Sequence, residues 1–173
     1  MLNRIFLIGV FISLSCSIAF AGEDARIYGE ARKMARAGQT DFAFMQYEEI
    51  LRDYPNSRFA EQALFAQGEY YFMMVNYPYA QKAFQSFLAK YPNSNGKLFA
   101  LAHLLRMAKS QNDEVSVKNF EKEMIVQKQV SLVFRDRKEY HYKSPLNQPF
   151  TAEIGIDKIE IYVGGDLFVA ISY

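Results

Sequence analysis

The tetrapeptide Tyr-Pro-Asn-Ser stands at residues 54–57 and again at 91–94, so the chain copies itself at a spacing of 37 residues. The copy extends upstream at the same offset: Ala43 answers Ala80, Tyr47 answers Phe84, Ile50 answers Phe87, and Leu51 is kept as Leu88. A unit of this length is one supersecondary motif that cannot bury its apolar side alone, so successive copies must stack. The repeat predicts stacked helical hairpins, an architecture whose usual work is to hold other polypeptides.

From Glu23 to about Gln127 the apolar residues follow a helical period. A first helix is expected near Asp24–Ala37, ended by Gly38, which can adopt the left-handed conformation that closes helices. Thr40 can cap a second helix whose stripe is Ala43, Tyr47, Ile50, Leu51 and Tyr54, and Pro55 stops it. The second hairpin repeats the plan, with helices over Phe59–Val75 and Pro78–Lys90 and a turn at Asn76. In the first helices Ile27 corresponds to Leu64, Tyr28 to Phe65, Ala31 to Gly68 and Met34 to Tyr71. The small residue at 31 and 68 predicts close approach of two helices. A third hairpin keeps Leu101, Leu105, Ala108, Val117, Met124 and Ile125 at the expected offsets, but has Glu121 where an aromatic belongs. That drift suits a terminal repeat with one side turned to solvent or to a different element.

The pairs Ala31/Gly68, Ala43/Ala80, Tyr47/Phe84 and Pro55/Pro92 resemble the tetratricopeptide repeat. The resemblance covers about residues 24–128 and implies an α-solenoid of about three helical hairpins, with the first helices lining a concave surface that takes a peptide or partner protein. The run Gly68-Glu69-Tyr70-Tyr71-Phe72, the Tyr-Pro-Asn-Ser endings and the 37-residue pitch are similar to a bacterial-envelope subgroup. That subgroup includes the lipoprotein of the outer-membrane β-barrel assembly machine and the repeat protein associated with the Tol-Pal system. It implies outer-membrane protein assembly or envelope coordination as the setting.

After Val130 the period becomes two. Ile159, Ile161 and Val163 alternate with polar or aromatic neighbours, Gly164-Gly165-Asp166 interrupts, and Leu167, Val169, Ile171 and Tyr173 alternate with Phe168, Ala170 and Ser172. This predicts a β-hairpin. Weaker strand signals lie at Ser131–Phe134, Glu139–Tyr142 and Phe150–Ile156. An isolated hairpin is marginal in water, so residues 129–173 are expected to form a small antiparallel sheet packed on the last helices. The fold class is therefore mainly α, a repeat domain over 22–128 followed by a β region.

Residues 1–21 read as a secretory signal: Arg4 near the start, an apolar run from Ile5 to Leu14, and Ala19-Phe20-Ala21 before Gly22. The apolar run is short of the roughly 20 residues that cross a bilayer. Leu14-Ser15-Cys16 partly matches a lipoprotein box, which makes Cys16 a candidate lipidation site and outer-membrane association an alternative to free periplasmic export. Cys16 is the one cysteine, so no intrachain disulfide is available and packing must supply stability. Twenty Lys and Arg against 19 Asp and Glu, with no Trp, give no electrostatic footprint for nucleic acid.

No catalytic constellation is legible. His103 and His141 each lack a companion at ligand spacing, and both are expected to be satisfied or exposed. No nucleophile has a base and an orienting group beside it, and Gly164-Gly165 is a turn with no helix to cradle phosphate. The chain reads as a non-enzyme without cofactor or metal. At matched first-helix positions Arg32, Glu69 and Arg106 follow at intervals of 37. They are expected either to tie neighbouring repeats in a ladder or to receive carboxylates from a bound chain. Around that row the family resemblance places Tyr28, Gln62, Phe65 and Phe72 on the concave surface, where aromatic and Arg side chains dominate binding. The alternative for Phe65 and Phe72 is that they complete the core or pack on the β segment. Two further readings stay open: a structural subunit that docks through its C-terminal hairpin with the repeats as spacer or oligomerisation surface, and an enzyme with a cleft near His141 and Tyr142.

Overall fold

The computed structural model describes residues 22–131 and 138–173. The candidate export signal and Cys16 lie outside the described residues, as do 132–134 of the expected Ser131–Phe134 strand. Ser131 itself is helical. The elements are α1 (22–36), α2 (Thr40–Asp53), α3 (Ala60–Met73), α4 (Tyr77–Lys90), α5 (Lys97–Ser110), α6 (Glu114–Ser131), β1 (Lys138–Lys143), β2 (Pro149–Ile154), β3 (Lys158–Val163) and β4 (Asp166–Ser172). The helices form three hairpins, and the strands form one antiparallel meander in the order β1-β2-β3-β4.

The 37-residue period is written into the backbone. Each first helix closes with the same pair of bonds: Gly38 N–H to Ala35 and Gln39 N–H to Met34, Val75 to Phe72 and Asn76 to Tyr71, Asn112 to Lys109 and Asp113 to Ala108. This pair of hydrogen bonds demands a left-handed residue just past the helix, and that residue falls at Gly38 (φ 74°), Val75 (φ 57°) and Asn112 (φ 54°), each 37 residues from the last. Glycine and asparagine tolerate that conformation; a β-branched valine is strained in it.

The Tyr-Pro-Asn-Ser turns are latched alike. Ser57 Oγ accepts the Phe59 N–H and donates to Asp24 Oδ2 at 2.6 Å, while Ser94 Oγ accepts the Gly96 N–H and donates to Glu61 Oε1 at 2.6 Å. Asp24 and Glu61 are themselves 37 apart, so each serine ties the end of a hairpin back to its own first helix. Gly68 allows the close approach anticipated for it: a Cβ there would stand 2.8 Å from the Phe84 ring.

Two apolar clusters meet at α3. One joins Ile27, Ala31, Tyr47 and Ile50 to Ala63 and Ala66 of α3; the other joins Leu64, Phe65, Phe84 and Phe87 to α5, Met124 and the sheet. The sheet's inward rows are Tyr142 and Phe150; Tyr140, Ala152, Ile161 and Val169; and Ile154, Ile159 and Ile171. Gly164 and Gly165 (φ 61° and 95°) make the two-residue turn that the hairpin signal predicts.

The expected face assignment of β4 needs one correction. The register slips beside Tyr162, which pairs with Leu167 while Ile161 pairs with Val169. Phe168 is the extra residue of a bulge. It turns toward the helices and packs on the core, and Leu167 is left 54% exposed.

Val75 is 68% exposed, so replacing it sacrifices little packing. Val75→Gly should relieve the left-handed strain and raise stability by about 1 kcal/mol. Denaturant unfolding checks this; an unchanged or lowered midpoint would show that the turn does not hold the conformation described.

Candidate functional site

Stacking brings α1, α3 and α5 side by side, and the β sheet lies against the face they build. Tyr142 of β1 sits between two rings, 5.3 Å from Phe65 and 4.9 Å from Phe99, the latter stacked at 10°. Phe72 meets Phe168 at 5.7 Å and Tyr77 at 5.7 Å. Residues 144–148, between β1 and β2, reach farther along the same face. The Tyr47 hydroxyl donates to the Pro145 carbonyl at 3.0 Å, and Leu146 is buried in the cluster formed with α1 and α2.

The sequence-selected residues therefore part company. Phe65 is wholly buried under β1 and Phe72 is half-buried under β4, so at these two positions the alternative of packing on the β segment is what the structure holds. Glu69 is 1% exposed. Arg106 donates to the Phe168 carbonyl at 2.8 Å and lies over that ring at 5.6 Å, a contact within the chain. Neither arginine pairs with Glu69, so the ladder does not form: Arg106 is drawn to the sheet, and Glu69 is sealed beneath residues 144–146. Tyr28, Arg32 and Gln62 line an open cleft.

That cleft has a volume of about 280 Å³ and lies between α1, the start of α3 and the β1–β2 loop. Helix α1 supplies Tyr28, Arg32 and Arg36 at successive spacings of four, which places them on one face. Tyr28 is fixed by stacking on Phe59 at 4.2 Å, and α3 contributes Glu61 and Gln62. The sheet side contributes Tyr142, Lys143, Ser144, Pro145 and Asn147. Arg36, Lys143 and the loop residues were not selected from sequence. Arg36 was findable, since it stands one helical turn beyond Arg32; nothing local announces where Lys143 docks.

Two buried ionisable side chains without hydrogen-bond partners among the described residues, Glu69 and His103, lie in the seam between stack and sheet. Burial raises the Glu69 pKa from 4.5 to about 8, only partly offset by the Ser144 hydroxyl and the Leu146 N–H. Neither of those completes a hydrogen bond to the carboxylate. His103 is neither satisfied nor exposed, contrary to expectation. It stacks on Phe84 at 4.7 Å and is ringed by Phe72, Phe168 and Phe150. Both ring nitrogens lack partners among the described residues, and burial lowers its pKa to about 3. His141 is exposed, with Nδ1 3.2 Å from Thr151 Oγ1.

The outer edge of the C-terminal hairpin is occupied. Arg106 reaches the Phe168 carbonyl, and Lys109 Nζ donates to the Ala170 carbonyl at 3.2 Å while pairing with Glu121 at 3.1 Å. Glu121, anomalous in the repeat pattern, thus holds a lysine that closes β4. Among the described residues no three His, Cys, Asp or Glu side chains gather in a metal-binding group, and no helix is long and apolar enough to cross a membrane.

Residues 62–94 match the tetratricopeptide repeat family, a stretch that runs from α3 through α4 to the latch serine Ser94. Among curated proteins the chain finds no significant match. Tetratricopeptide repeats are modules of protein–protein interaction, and the stretch of this chain that is similar to one lies within a stack of three hairpins.

Glu69 gives the seam a pH signature. A carboxyl that titrates near 4.5 unfolded and near 8 folded is neutral in both states below pH 4.5; between the two values only the unfolded chain ionises, so stability falls as pH rises and levels off above pH 8. Glu69→Gln should remove that loss, on the order of a few kcal/mol between pH 5 and pH 8. Urea unfolding of both proteins at the two pH values tests it. Parallel losses would mean that the carboxyl stays solvated in the folded protein.

Proposed function

We propose that this chain is an exported, non-catalytic scaffold of the bacterial cell envelope that holds a partner protein or peptide at the open end of its first-helix face. The observation that carries the reading is the cleft formed by Tyr28, Arg32, Arg36 and Gln62 against residues 142–147, beside a repeat of the tetratricopeptide type. The remainder of that face is filled by the protein's own sheet, so the partner engages α1 and the β1–β2 loop together. Aromatic and arginine side chains in a concavity are the groups from which binding surfaces draw most of their energy.

The envelope setting rests on sequence alone: the export signal over residues 1–21, Cys16 as an alternative lipid anchor, and the Tyr-Pro-Asn-Ser endings with their 37-residue pitch. The hairpin-docking alternative is weaker, because Arg106 and Lys109 already engage the β4 edge that a partner strand would need.

A photo-crosslinking residue at position 32, in intact cells, should capture one protein in near-stoichiometric yield. The same residue at position 82, exposed on α4, should not. Equal capture from both positions, or none from position 32, contradicts the reading.

A further inference from the structure

The cleft is far more positive than the chain that builds it. Arg32, Arg36 and Lys143 line it against one acid, Glu61, a local balance of 3 − 1 = +2 within a protein whose total is +1. Glu61 is committed to the Ser94 hydroxyl. None of the three cations has a carboxylate in ion-pair range among the described residues, and all three are exposed at the cleft. Arg32 lies over the Tyr28 ring at 5.9 Å, which steadies the guanidinium without neutralising it.

We infer that the cleft receives an extended segment of the partner that carries acidic side chains at alternate positions. Four residues apart on α1, Arg32 and Arg36 present Cβ atoms about 5–6 Å from each other. An extended chain projects residues i and i+2 to the same side, about 6.6 Å apart. Two carboxylates on such a segment therefore match the two guanidiniums, each able to take a fork-to-fork pair. Lys143 closes over the segment from the other wall. Lys143 stands there because the next residues dock on Tyr47 and Glu69, so the sheet both covers the repeat face and supplies the third cation. This inference rests on the cleft being the partner site and adds the chemistry of what enters it.

The test uses the purified chain and a fluorescein-labelled heptapeptide with Glu at positions 3 and 5 flanked by Ser and Gly, beside an analogue with Gln at both positions. The acidic peptide should bind at low salt, and the Gln analogue at least tenfold more weakly. Arg36→Ala and Lys143→Ala, both at exposed positions, should each weaken the acidic peptide about five- to tenfold and flatten its salt dependence, with melting temperatures unchanged. Equal binding of the two peptides, indifference to both substitutions, or displacement by inorganic phosphate at the concentration of free glutamate would overturn the inference. If residue 32 still crosslinks a partner in that event, the scaffold reading survives without its acidic ligand. If the acidic peptide binds as expected and no partner crosslinks, the anion site stands and the protein-partner reading falls.

Discussion

The interaction on which the structure depends is the burial of Phe65. It stands at the meeting point of three layers: Phe84 and Phe87 of α4 approach its edge at 5.5 and 5.3 Å, and Tyr142 of β1 closes over it at 5.3 Å. Fully burying an aromatic of this size removes enough apolar surface from water to contribute about 2–3 kcal/mol. Without the sheet the ring would face solvent together with Phe72 and Phe99. Three hairpins are too few to bury that surface among themselves, and the strands need a partner because an isolated small sheet is marginal. Each half lacks what the other provides, and the joint between them is aromatic.

That joint also carries two uncompensated polar groups, and their opposite chemistry bounds the conditions under which it is strong. Ionising Glu69 is resisted as pH rises toward 8, and protonating His103 is resisted as pH falls from 6.5 toward 3. For the histidine, whose pKa is lower when folded, stability is complete above 6.5 and declines as the unfolded chain takes up the proton. The two trends offset each other between pH 4.5 and pH 6.5, where the seam is most secure; it weakens above that window through Glu69 and below it through His103. Both groups sit where residues 142–150 and 168 meet the helices, so the cost falls on docking of the sheet more than on formation of any one hairpin.

Much of this was legible in the residues, and the legible part followed the period. Matched apolar positions located the helices, the small residue at 68 announced close approach of two helices, and Gly164-Gly165 marked the last turn. The latch between Ser57 and Asp24, copied as Ser94 and Glu61, lay at the same offset and could have been read from it. Val75 could not, because nothing in a valine signals a left-handed turn; only its place between Gly38 and Asn112 does. The bulge at Phe168 defeated simple alternation. The greater miss was long-range: period and spacing say which residues face the first-helix side and nothing about what covers them. Arg32, Glu69 and Arg106 were correctly in register, yet the sheet drew one to a carbonyl, buried the second and left the third at a cleft.

The resulting picture is a repeat stack whose first-helix face is mostly covered by its own C-terminal sheet, with a cationic cleft left where α1 meets the β1–β2 loop. Native-state hydrogen exchange tests that joint most directly. If stack and sheet are one cooperative body, the slowest amides of α3, such as those of Ala66 and Glu69, and those of β2 and β3, such as Ala152 and Ile161, report the same free energy of opening. Exchange in the strands a hundredfold faster than in α3 would contradict the account, for it would mean that the sheet leaves while the helical stack stays folded.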